Sequence, residues 1–96
     1  MAVHERGTIA FAIRGPISRA DLPGLSDRVC ALLRQSQASV AFCDVSGVSA
    51  DAVTVDALAR LALAARRNRC GIRLRGASAE LRRLLEFMGL EDVLPD

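Results

Sequence analysis

The residues with chemistry to offer crowd into one short stretch. Ser46, Ser49 and Thr54 carry hydroxyls there, and Asp51 and Asp56 carry carboxylates. Two carboxylates could share acid–base work if they faced one another. On a helix, positions five apart point about 140° away from each other. No activated nucleophile or base accompanies them, so acid–base catalysis is not expected. Both acids fall where a helix should begin, and a carboxylate there caps free N–H groups or complements the macrodipole. The hydroxyls have two readings. Ser49 either accepts phosphate or competes with Asp51 to cap the helix. Thr54 either accepts phosphate or satisfies the backbone of its own first turn.

Other reactive chemistry is poorly supplied. Cys30, Cys43 and Cys70 form no CxxC pair, and the single histidine is His4. That set argues against zinc and against any other metal centre. An odd number of thiols fits a reducing cytoplasm. Cys43 falls in an apolar run, where a thiol is inert. There is no glycine-rich phosphate loop, so no cofactor is expected. All 13 basic residues are Arg, yet the net charge is only +2. Direct nucleic-acid binding needs a concentrated basic face and, for single strands, stacking aromatics. Here aromatics are 3% of the chain, with no Trp or Tyr.

The elements that must position the stretch follow from periodicity. The 96 residues suit one domain, 1–96, and the 51% hydrophobic content supplies a core. No apolar run reaches the roughly 18 residues of a membrane span, and no signal-peptide pattern opens the chain. A soluble, cytoplasmic protein without membrane insertion is expected.

Met1 to Arg6 is a candidate edge strand. Thr8 to Arg14 alternates, with Ile9, Phe11 and Ile13 on one face. Ser18 and Asp21 have capping-box spacing, and Leu22, Leu25, Val29, Leu32 and Leu33 give a helix from about Asp21 to Gln35. Val40-Ala41-Phe42-Cys43 lacks alternation and predicts a central strand covered on both faces, with a loop from Asp44.

Val55, Leu58, Leu61, Ala62 and Ala65 form the inner stripe of a second helix, acidic at its start and basic at its end. Asp56, Arg60, Leu63 and Arg67 lie on its outer side. Gly71 to Arg75 alternates as a third strand, and Ser78 caps a helix over Ala79 to Met88. Gly89 fits the C′ position after it, and Glu91 to Leu94 predicts a last turn. Arg14, Arg73 and Arg75 share the non-core face, so most helices should lie on one side of the sheet. That Arg-lined face is either solvated or a dimer or partner contact.

With those elements in order, the sequence resembles a STAS domain, the fold of the anti-sigma factor antagonists. The likeness runs from about Thr8 to Leu94. It rests on Gly15-Pro16-Ile17, on Asp44-Val45-Ser46-Gly47-Val48, on the helix led by Asp51, on Arg73-Leu74-Arg75, and on Ala77-Ser78 with Leu84-Leu85 and Met88-Gly89-Leu90.

The resemblance implies an α/β fold. Its sheet would be small, mostly parallel or mixed, with three to five strands and about four helices mainly on one face. It implies a non-enzymatic module of transcription regulation and signal transduction by partner switching. Such a module binds an anti-sigma factor of the kinase type, or a related regulator, through the 46–56 loop and helix start. The implied contacts are Ser46, Ser49, Asp51, Ala52, Val53, Thr54, Asp56, Arg60 and Leu63.

The family's phosphoacceptor serine corresponds to Val53, so the ordinary switch is missing, leaving Thr54 and Ser49 as the candidate acceptors. Two alternatives follow from the same resemblance. One is a cytoplasmic STAS subunit of a lipid-transporter ATPase, docking through the same helix start. The other is a STAS domain that senses a small ligand or nucleotide.

Overall fold

The computed structural model describes residues 7–90. The predicted edge strand over 1–6 and the last turn over 91–94 lie outside them. Three strands, β1 (Thr8–Arg14), β2 (Val40–Gly47) and β3 (Gly71–Arg75), form one parallel sheet in the order β1-β2-β3. The helices are α1 (Leu22–Ser36), α2 (Ala52–Arg67) and α3 (Ala79–Phe87), and a 3-10 turn over Arg19–Asp21 precedes α1. The fold class is therefore the expected α/β one. Among the described residues there are three α-helices rather than about four.

Register explains which side chains are buried. Phe11 pairs with Cys43, and Cys43 with Leu74, so these residues share one face. Ile13, Ala41, Cys43, Val45, Ile72 and Leu74 on that face are buried, and α1 packs against α2 over it. The opposite face carries Ala10, Phe42 and Arg73 in one row and Ala12, Asp44 and Arg75 in the next.

That pattern corrects the reading of β2 as covered on both sides. Val40 and Phe42 are only half-buried, because both crossover helices lie on the other face. Val40 to Cys43 is apolar for a different reason. Arg75 sets its guanidinium over the Phe42 ring at 4.4 Å, shielding an aromatic that none of the described helices covers.

Local chemistry sets the element boundaries. The Asp21 carboxylate accepts from the Ser18 N–H at 2.9 Å and the Ser18 hydroxyl at 3.0 Å, so the predicted box closes the 3-10 turn ahead of α1. Pro23 sits in the first turn of α1, where its missing N–H costs no helical bond. The Ser78 hydroxyl accepts from the Leu81 N–H at 3.1 Å, as its N-cap spacing implied.

Gly89 ends α3 at φ 72°, with Leu90 N–H on the Leu85 carbonyl and Gly89 N–H on the Glu86 carbonyl. This is a Schellman close. The same close ends α2, but there the left-handed residue is Arg69 at φ 55°, with Cys70 N–H on the Ala65 carbonyl.

Candidate functional site

The site is built where the central strand hands over to α2. Sequence placed the loop from Asp44; in the structure β2 continues to Gly47. Asp44 stays paired with Arg75, Gly47 pairs with Arg14, and Gly15 N–H donates to the Gly47 carbonyl at 3.0 Å. The loop proper is therefore 48–51, at the carboxyl end of the middle strand, where parallel sheets present their functional residues.

Two aspartates brace this handover. The Asp44 carboxylate accepts from the Ser46 N–H at 2.9 Å. That bond and the Ser46 hydroxyl, helped by the Arg14 charge, hold the Asp44 carboxyl below its ordinary range. Gly76 packs on the same corner at φ 73°, and a Cβ there would lie 2.9 Å from the Cβ of Ser46.

Asp51 is the N-cap of α2, with extended backbone and Oδ1 accepting from the Thr54 N–H at 2.8 Å. The Thr54 N–H and hydroxyl, with a smaller contribution from the Val53 N–H, hold its carboxyl low. Asp51 rather than Ser49 takes the capping role. Ser49 stands exposed on the loop, as Ser46 does at the end of the strand.

Thr54 is only 1% exposed, with its hydroxyl turned toward Asp51. That geometry fits the backbone-satisfying reading of Thr54 and denies a modifying enzyme access to it. Of the two hydroxyls weighed as phosphoacceptors, Ser49 alone is exposed. Neighbouring Ala52 is exposed and Val53 half-buried, so the first turn of α2 shows solvent a small apolar surface.

Asp56 does not meet Asp51. It pairs with Arg60 at 3.1 Å, one turn on, and with Arg19 at 3.4 Å. The Arg19 contact bridges 37 positions of sequence and ties the 3-10 turn to the outer side of α2. All three side chains are solvent-accessible, so the pairs contribute orientation more than stability.

Beside them runs a groove of about 430 Å³, floored by Ala52, Val55 and Ala59 and walled by Leu84, Met88 and Leu90. Leu63, at 49% exposure, extends the outer side of α2 as expected. The predicted contacts from Ser46 to Leu63 thus follow one line, from the end of β2 across the loop and along α2. Thr54 alone turns inward. Sequence reading missed Arg19 and the α3 wall of the groove. Met88, at the end of α3, is 56% exposed and so faces outward, whereas Leu81 and Leu85 are buried.

Burial, with the Asp44 charge next to it, pushes the Cys43 thiol up to about 12, which keeps it protonated and inert. Among the described residues, no three His, Cys, Asp or Glu side chains gather where they could hold a metal. None of the described helices is long and apolar enough to cross a membrane.

Comparison with known proteins adds a family. No curated protein matches the chain significantly. The family described as "Mlab, STAS domain" matches residues 2–95. A match of that extent agrees with the parallel sheet, the helix led by Asp51 and the surface beside it: this chain belongs to the STAS-domain family.

Proposed function

We propose that this STAS domain is a non-enzymatic docking module, with residues 46–56 and the outer side of α2 as its contact surface. One observation carries the proposal. The first turn of α2 presents Ala52 and Val53 beside an apolar groove, while its polar groups are already engaged with one another. A partner side chain can enter the groove without having to replace water on an unsatisfied cap. Arg19, Asp56 and Arg60 supply a polar rim around that apolar centre.

The partner we favour is the cytoplasmic ATPase of a transporter, with this chain as a permanent subunit. Two observations support it: the matching family's description, and the absence of a hydroxyl at position 53 with Thr54 buried. An anti-sigma factor of the kinase type, or a related regulator, is the second reading, supported by Asp44-Val45-Ser46-Gly47-Val48. Affinity purification with mass spectrometry separates the two. Recovery of a membrane-associated ATPase supports the first reading, and a soluble kinase the second. With either partner, Ala52→Arg should weaken binding by about tenfold or more while leaving the fold intact. Unchanged binding by that variant would sink the docking surface.

A further inference from the structure

The face of the sheet turned away from the helices has a chemistry of its own. Parallel strands are ordinarily covered on both sides. Here, among the described residues, Ala10, Ala12, Val40 and Phe42 form a floor that no element covers, with both alanines exposed. Around it stand Arg14, Arg73 and Arg75, all exposed and none in an ion pair among the described residues. Among the described residues the one carboxylate on this face is Asp44, already held by the Ser46 N–H. We propose that this face docks an acidic amphipathic helix of a partner protein, which supplies a helical layer on the side where the described residues place none. The proposal concerns a different surface from the α2 docking site and does not rest on it.

Three features select that occupant. The three described strands span about 10 Å, close to the diameter of one helix, and the alanines let a helix backbone approach closely. The basic residues border the apolar floor, so they would meet carboxylates flanking an apolar stripe. A second copy of this face would instead oppose one set of guanidiniums with another in a desolvated seam, which is strongly unfavourable. An anionic bilayer would satisfy the arginines but not the floor. Membrane surfaces take protruding bulky side chains, whereas Phe42 is half-buried beneath Arg75.

The test uses the full chain and a fluorescein-labelled synthetic helix of about 18 residues, with a leucine stripe flanked by glutamates. A peptide with the same stripe flanked by lysines is the control. The acidic peptide should bind saturably, more weakly at high salt, and the lysine peptide should not. R73E/R75E, checked for fold by circular dichroism, should weaken binding by about tenfold or more. If that variant fails to fold, Arg14→Glu alone should still weaken it severalfold.

Equal binding by the folded variant, or no saturable binding of the acidic peptide, overturns the proposal. So does a dimer in light scattering that the variant abolishes, which would assign the face to a second copy. Co-sedimentation with phosphatidylserine-rich vesicles without peptide binding would assign it to a membrane and overturn it equally.

Discussion

At the residue scale, Asp51 contributes its cap only while ionised. The Thr54 N–H and hydroxyl favour the charged form, so the carboxyl titrates below the ordinary 3.8 in the folded chain. The cap's contribution is therefore complete above that ordinary value and is lost as pH falls through the lowered one. Thermal unfolding of Asp51→Ala should begin below the parent's at pH 7, with the gap closing as the pH falls below the ordinary carboxylate value. A gap of constant size would show that the charge is not what caps α2. Gly76 is a second local constraint. Gly76→Ala should cost about 2 kcal/mol or more in urea unfolding, because alanine at φ 73° is strained and its Cβ meets Ser46. Arg69 has the converse arrangement. Arg69→Gly should stabilise the chain by about 0.5–1 kcal/mol, since a left-handed close on a non-glycine residue is strained.

At the element scale, α2 divides its leucines between two tasks. Leu58 and Leu61 are fully buried, whereas Leu63 is 49% exposed. Leu61→Ala should cost about 3 kcal/mol by leaving a cavity under the sheet. Leu63→Ala should change denaturant unfolding by less than about 0.5 kcal/mol and act on partner binding instead. A large stability loss at Leu63 would place it in the core. This division was legible in the sequence, because the 3.6-residue period separates Leu58 and Leu61 from Leu63. The β1 and β3 alternations and the Ser78 cap were legible for the same reason: each depends on neighbours within a few positions, whereas Ser49 and Asp51 both suited the α2 cap and only the structure gives it to Asp51.

What escaped depended on distance. Four apolar residues from Val40 to Cys43 cannot reveal that Phe42 is covered by Arg75 from another strand. Nor can Asp56 announce an arginine 37 positions earlier. The end of β2 was misplaced because Asp44 to Gly47 carry turn-forming residue types, while pairing with β1 and β3 keeps them extended.

At the scale of the whole molecule, the thiols report how closely the helical layer seals the sheet. Cys43 is fully buried and Cys70 is 5% exposed, whereas Cys30 is half-buried on α1. A thiol-reactive dye under native conditions should label Cys30 alone, with Cys43 and Cys70 following only on unfolding. Their rate of labelling then measures global opening. Rapid native labelling of Cys43 would mean that the helices part from the sheet far more readily than their packing implies.

The strand order has a consequence for how the chain comes to be folded. The described strands lie side by side in the sequence in which a ribosome would release them. Each of these three strands after the first meets a neighbour already made, and none of the three pairs with a described strand out of sequence order. The middle strand is completed by its last-made neighbour β3, through the pairing of Asp44 with Arg75. The corner that carries the 48–51 loop is consequently among the last parts of the described sheet to be secured during synthesis. Under the proposed docking role, a partner would find that surface only on a chain that has finished folding.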